Sequence, residues 1–158
     1  MLTSQVENPL EVLLIEDNPG DVRLTEEAFK EASIVCNLHV TMDGVDAMDF
    51  LCNRGRFEEA PQPDFILLDL NLPRKDGRQV LKEIKGHPSL RHIPVVILST
   101  SQSEEDIFQS YNLQANCYIS KPVDIDRFIE IIKSIKRFWF DIAILPGRKP
   151  KDSAVSFP

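Results

Sequence analysis

Three short runs, Val-Leu-Leu-Ile at 12–15, Phe-Ile-Leu-Leu at 65–68 and Val-Val-Ile-Leu at 95–98, contain no polar residue at all. A strand with one wet face alternates apolar and polar residues, so an unbroken run describes a strand covered on both faces. That is the situation inside a parallel sheet sandwiched between helices. Ile34 to Val40, partly alternating, and the short stretch Cys117 to Ile119 are weaker strand candidates.

Between these runs the period changes to that of helices. Asn18-Pro19-Gly20-Asp21 supplies an N-cap, a first-turn proline and an acidic residue near the helix dipole, which predicts a helix from Pro19 to Ala32. Asp43-Gly44 starts a second, and Gly77 lies at the start of a third carrying Val80, Leu81 and Ile84. Ser103-Glu-Glu-Asp106, close to a capping box, opens a helix through Tyr111, and Asp124 begins the last. Five strands alternating with five helices predict an α/β fold with helices on both sides of an open sheet, and exclude a sandwich or a bundle. Asn53 to Pro63 is the one long irregular connection, and its prolines and charges mark it as a surface loop.

Composition narrows the function. A chain of 158 residues, 42% hydrophobic and 27% charged, reads as one folded domain rather than a regulator with a separate effector module. Acidic residues outnumber basic ones 25 to 18, giving a net charge of -7, which opposes the phosphate contacts that nucleic-acid binding needs. Cys36, Cys52 and Cys117 cannot all pair and show no metal-finger spacing, which fits a reducing, cytoplasmic compartment. The N-terminus has no basic segment leading into an apolar stretch, and no apolar run approaches bilayer length, so neither secretion nor membrane spanning is expected.

Ligand sites on open parallel sheets lie beyond the carboxyl ends of the strands. There the first strand delivers Glu16 and Asp17, the third Asp69 followed by Asn71, the fourth Ser99 and Thr100, and the fifth Lys121 before Pro122. Two carboxylates about 4 Å apart repel by roughly 4 kcal/mol at an effective dielectric near 20, so Asp17 and Asp69 need a counter-charge. Magnesium supplies one, taking one or two carboxylates and leaving positions for water and phosphate oxygens. Lys121 adds a point charge and Ser99 a neutral donor for phosphoryl oxygens. Taken singly, Asp17 would be a helix cap, Ser99 a strand-end serine and Lys121 a solvated lysine. Their convergence on one rim makes phosphoryl transfer the better reading.

The motifs Leu14-Ile-Glu-Asp-Asn18, Leu68-Asp-Leu-Asn-Leu-Pro73 with Gly77, Ile93-Pro-Val95 running to Ser99, and Tyr118-Ile-Ser-Lys-Pro122 together resemble the receiver domain of two-component response regulators. The resemblance covers Leu10 to Ile142. The Glu-Asp-Asn-Pro-Gly-Asp start, the long loop before the third strand, Ala-Asn-Cys-Tyr and the Phe-Trp-Phe ending look like the small regulators paired with cyanobacterial phytochromes. It implies a flavodoxin-like, doubly wound (βα)5 sheet in strand order 2-1-3-4-5, with an N-terminal extension at 1–9, the receiver at 10–145 and a polar tail at 146–158. It also implies a single-domain regulator, not an enzyme acting on outside substrates. Asp69 would accept phosphate from a phytochrome-type sensor histidine kinase, with magnesium-dependent self-phosphorylation and autodephosphorylation. Glu16, Asp17, Asp69 and the backbone carbonyl of Asn71 would surround the magnesium ion, Lys121 and Ser99 would meet the phosphoryl group, and Ser99 with Tyr118 would form the switch. Output would leave through contacts with a downstream protein or phosphotransfer partner.

Departures from the family pattern concern Ser99, where threonine is frequent, Thr100, bulkier than the usual small residue, and Gln114, at a turn that often carries glycine. Rival readings are weaker. A haloacid-dehalogenase-type phosphohydrolase needs an aspartate where Asn71 stands, the acidic pair Glu16-Asp17 would repel a flavodoxin's phosphate, and a binding module without phosphotransfer would have no need of the full rim.

The last helix adds an expectation about assembly. Ile125, Phe128, Ile132, Ile135, Trp139 and Ile142 recur at spacings of three and four, enough to cover the sheet. Ile131, Phe138 and Leu145 then form a second stripe with Phe140 left over, which predicts a homodimer built on these residues. The competing arrangements have the tail from Pro146 folding back over the patch, or Phe138 and Phe140 filling a wider core.

Overall fold

The computed structural model describes residues 8–148; the extension at 1–7 and the tail from 149 lie outside the described residues. Five parallel strands run in the order 2-1-3-4-5: β1 (Leu10–Ile15), β2 (Cys36–Thr41), β3 (Phe65–Leu68), β4 (Val95–Ser99) and β5 (Cys117–Ser120). The helices are α1 (Pro19–Glu31), α2 (Gly44–Leu51), α3 (Gly77–Gly86), α4 (Glu104–Asn112) and α5 (Ile125–Ile135). The three unbroken apolar runs are the three inner strands, and the two weaker candidates are the edges. An inner strand is covered on both faces, whereas β2 and β5 retain partly exposed positions throughout most of their length.

Alternate side chains of each inner strand feed two separate cores. Leu13, Ile15, Ile66, Leu68, Val95 and Ile97 pack with Met48, Leu81 and Ile84 from α2 and α3. Val12, Leu14, Phe65, Leu67, Val96 and Leu98 pack with Phe29, Phe128 and Ile132 from α1 and α5. Helix starts follow the predicted caps at Asn18, Asp43, Ser103 and Asp124, and at α3, where only Gly77 was expected near the start, Asp76 is the cap; each of the five accepts a backbone N–H in the first turn. The long loop before β3 is tied together rather than open, for Asn53 Nδ2 donates to the carbonyl of Ala60 at 2.6 Å around a short 3-10 turn at Gly55–Phe57. Gln114 takes φ +74°, so the turn keeps the left-handed geometry without glycine.

The end of the last helix differs from expectation. After Ile135 the chain passes into a π-helical segment, Lys136–Ile142, closed by an i→i+5 bond from Ala143 N to Phe138 O at 2.7 Å. The wider turns shift the faces. Phe140 and Leu145, expected on a dimer surface, are each only 5% exposed and belong to the α1/α5 core. Phe140 meets Phe65 edge-on at 5.0 Å between ring centroids. Ile142, expected in the core, is exposed, as is Ile125 at the other end. Ile131 and Trp139 are half-buried against the core, and Phe138 remains 54% exposed. The expected second stripe is therefore split: Phe140 and Leu145 are core residues, and Phe138 alone of the four is a large exposed side chain.

Candidate functional site: an acidic rim around one lysine

Strand ends place every member of the rim. Asp69 follows β3, its backbone N donating to the Ile15 carbonyl at 3.0 Å, so the ends of β1 and β3 are level. Lys121 follows β5, and its backbone N donates to the Ser99 carbonyl at 2.7 Å. Glu16, Asp17 and Asp69 each offer a carboxylate oxygen within 4.8 Å of the others. Three oxygens of this kind beyond the ends of two inner strands, with Asp17 exposed to solvent, fit a hard divalent cation that keeps some of its water. Asn71 stands beside them, exposed, its backbone N donating to Asp69 Oδ1 at 3.1 Å.

Lys121 is the electrostatic centre. Its ammonium is almost entirely buried and donates to Glu16 Oε1 at 2.5 Å, Asp21 Oδ2 at 3.0 Å and Asp69 Oδ2 at 3.2 Å. Burial works against its charge, but the hydrogen bond to Glu16 and the charge on Asp69 outweigh that penalty and raise its pKa. Burial pushes the Glu16 carboxyl up to about 7, with the Lys121 hydrogen bond pulling the other way and the charge on Asp69 adding to the rise. The rim is thus an excess of carboxylates organised on one cation, a charge balance that suits a divalent ion.

Glycine contacts hold Asp69 and the loop after it. A Cβ on Gly77 would lie 2.3 Å from the Asp69 carbonyl oxygen, and one on Gly44 would lie 2.0 Å from the carbonyl oxygen of Lys75. Both are backbone approaches that no side chain permits. The loop between β3 and α3 is further held by Arg74, at φ +64°, donating to Asp43 Oδ2 at 3.1 Å.

The two expected switch residues meet at a third. Ser99, fully buried, accepts the backbone N–H of Ser101 at 3.3 Å, and the Tyr118 hydroxyl donates to the Ser101 carbonyl at 2.8 Å. The Tyr118 ring packs partly against the α3-side core. Ser101 Oγ in turn donates to Asp106 Oδ2 at 2.6 Å, and Asp106 pairs with Arg78 of α3 at 2.7 Å. The Ser101 hydroxyl, and then Arg78, hold the Asp106 carboxyl below the ordinary carboxylate range. Thr100 is exposed.

The sequence-derived rim of Glu16, Asp17, Asp69 and Lys121 is assembled, with Ser99 and Asn71 beside it and Tyr118 one bond removed. Ile131 lies on α5, Phe138 and Phe140 on its π-helical extension, and Leu145 just beyond it. Sequence reasoning missed Asp21 as a partner of Lys121, because an acid in a first helical turn is already explained by the helix dipole. It also missed Ser101, Asp106 and Arg78, whose pairing across α3 and α4 leaves no periodic signal.

Residues 12–133 match the response regulator receiver domain family. The chain is 45% identical over 139 residues to response regulator Rcp1 of Synechocystis sp., a match covering 88% of this chain and 95% of Rcp1. It superposes on the phosphorylated cyanobacterial phytochrome response regulator RcpA with TM-score 0.85 and 46% identity, over 89% of this chain and all of RcpA (100%). Superposition on the Mn2+-bound form of Rcp1 gives TM-score 0.84 at 45% identity, covering 88% of this chain and 100% of that one. With the 2-1-3-4-5 sheet, the acidic rim and the lysine after β5, these matches show that the chain belongs to the receiver-domain family of response regulators and is homologous to the phytochrome response regulators.

Proposed function

We propose that Asp69 accepts a phosphoryl group from the phosphohistidine of a phytochrome-type sensor kinase, in the cytoplasm, and that the modified surface is read by a downstream protein or phosphotransfer partner. The observation that carries this reading is the pairing of Asp69 Oδ2 with Lys121 Nζ at 3.2 Å, inside a rim whose Glu16, Asp17 and Asp69 oxygens converge. A carboxylate oxygen of Asp69 attacks phosphorus, the phosphorus–nitrogen bond breaks, and its electron pair leaves with the imidazole. Lys121 is poised to move one N–H from Asp69 to a phosphoryl oxygen, and the Ser99 hydroxyl can donate to another while still accepting from Ser101. Magnesium, held by Glu16, Asp17, Asp69 and the Asn71 carbonyl, would neutralise charge on the transferring group. Loss of the phosphoryl group to water regenerates the Asp69 carboxylate.

Labelling from acetyl phosphate should require a divalent ion, vanish in Asp69→Asn and weaken in Asp17→Asn. Robust labelling of Asp69→Asn at the wild-type rate would overturn the assignment. Profiling against histidine kinases identifies the donor. The switch reading places Ser99 and Tyr118 on either side of Ser101, so beryllofluoride should shift the NMR signals of Tyr118 and of α4 around Phe108 and Tyr111.

The same reading includes a homodimer. Its support is that Phe138, Ile142 and Ile144, all exposed, lie within one seven-residue stretch beyond α5, with Ile131 one heptad before Phe138 and only half-buried. Sedimentation at micromolar concentration should give a dimer that Phe138→Glu dissociates. A strict monomer, phosphorylated or not, refutes it.

A further inference from the structure

With Asp69 as the phosphoacceptor, one carboxylate beside it has no part in the chemistry described so far. An ammonium group has three N–H donors. Those of Lys121 are matched by Glu16, Asp69 and Asp21, the last at 3.0 Å. Asp21 lies outside the trio that converges for a cation. It does not cap α1 either: Asn18 Oδ1 does so by accepting the Asp21 N–H at 3.1 Å. An ordinary acid at a helix start faces solvent or the helix dipole. Asp21 instead has its N–H fixed by Asn18 and its carbonyl oxygen fixed by Thr25 Oγ1 at 2.8 Å. These bonds fix its backbone in the first turn of α1, and from there its side chain, one-third exposed, reaches the lysine of another element, 100 residues away in sequence.

Phosphorylation changes what this contact does. The Lys121 N–H that meets Asp69 Oδ2 passes to a phosphoryl oxygen, but Asp21 goes on drawing on the same ammonium. Two contacts of 3.0 and 3.2 Å to one nitrogen also leave Asp21 Oδ2 about 5–6 Å from Asp69 Oδ2. We propose that Asp21 is a positioning residue that divides Lys121 between α1 and the phosphoryl group, and so limits the stability of the aspartyl phosphate.

The test measures beryllofluoride binding at saturating magnesium by calorimetry, using the full chain as wild type, Asp21→Asn and Asp21→Ala. Both variants should bind about threefold to tenfold more tightly, a range set by the Coulomb interaction at this separation with the Asp21 side chain one-third exposed. Their aspartyl phosphates, made with acetyl phosphate, should be hydrolysed to carboxylate and inorganic phosphate correspondingly more slowly. The gain should shrink as salt is raised, because charge repulsion through a partly exposed site is screened and a packing change is not. Wild-type or weaker affinity in both variants, or a gain that ignores salt, overturns the inference. A wild-type protein that does not bind beryllofluoride, or an Asp69→Asn protein that binds it equally well, overturns the phosphoacceptor reading and this inference with it.

Discussion

Replacing Gly77 by alanine should damage the phosphoacceptor without touching its side chain. The new methyl would start 2.3 Å from the Asp69 carbonyl oxygen, 2.6 Å from Leu70 Cα and 2.7 Å from the Leu70 carbonyl oxygen, where ordinary contact begins at 3.4 Å. All three are backbone atoms, and Gly77 N itself donates to the Leu70 carbonyl at 2.8 Å, so neither side can yield by a rotamer change. Relief requires ~1 Å of separation between the start of α3 and the end of β3. Overpacking of this kind costs about 1–3 kcal/mol, against which alanine's helix propensity returns at most about 1 kcal/mol. With a net cost of up to about 2 kcal/mol after that return, and roughly 2–4 °C per kcal/mol for a domain of this size, Tm should fall by up to about 8 °C. The chemistry should suffer more, since about 1 Å of misplacement at a reacting group can cost roughly 100-fold in rate. Calorimetric melting and the rate of labelling from acetyl phosphate measure the two effects. Gly86→Ala is the internal control: it lies in the same helix and its Cβ meets nothing within 4 Å, so it should be neutral or slightly stabilising. Wild-type melting and wild-type labelling of Gly77→Ala would refute the close approach.

The π-helical register predicts that Phe140→Ala loses about 3–5 kcal/mol in denaturant unfolding, while Phe138→Ala, which gives up only an edge-on contact with Trp139, loses no more than about 1.5 kcal/mol when measured too dilute to dimerise; equal losses would contradict the assigned faces. Gln114→Gly should raise stability by about 1 kcal/mol, because glycine holds φ +74° without a Cβ clash; a loss would show that the Gln114 side chain contributes more than the turn strain. Burial, with the Glu11 charge adding to it, pushes the Cys36 thiol up to about 11, so the reactive thiolate grows with rising pH. Alkylation at Cys36, followed by peptide mass spectrometry, should accelerate about tenfold per pH unit from about pH 8 and level off only near 11; a plateau below about pH 9 would refute this.

Much of this protein is determined locally. The inner strands were legible because burial on both faces removes alternation, and that leaves a mark in any window containing residues 12–15, 65–68 or 95–98. Helix starts were legible because the capping residues Asn18, Asp43, Ser103 and Asp124 act within one turn of their own chain. Once the strands are placed, the rim follows, since Glu16, Asp17, Asp69 and Lys121 are simply the next residues after β1, β3 and β5. Strand order was readable only through the family resemblance, because local pattern does not state which strands adjoin.

What the tertiary structure alone decided lies where several local solutions were equally good. Phe138, Trp139 and Phe140 are consecutive aromatics, so periodicity cannot select which one enters the core. The position of Phe65 on the sheet selects Phe140, with Trp139 alongside it, and the helix widens to deliver them. Asp21 satisfies every local rule for a first-turn acid, yet its partner is Lys121, 100 residues on, and nothing in either neighbourhood encodes the other. Gly44 and Gly77 likewise look like helix-start glycines. Only the packed structure shows the carbonyl groups of Lys75 and Asp69 in the space that their side chains would need, because a steric exclusion exists only after distant segments have been brought together.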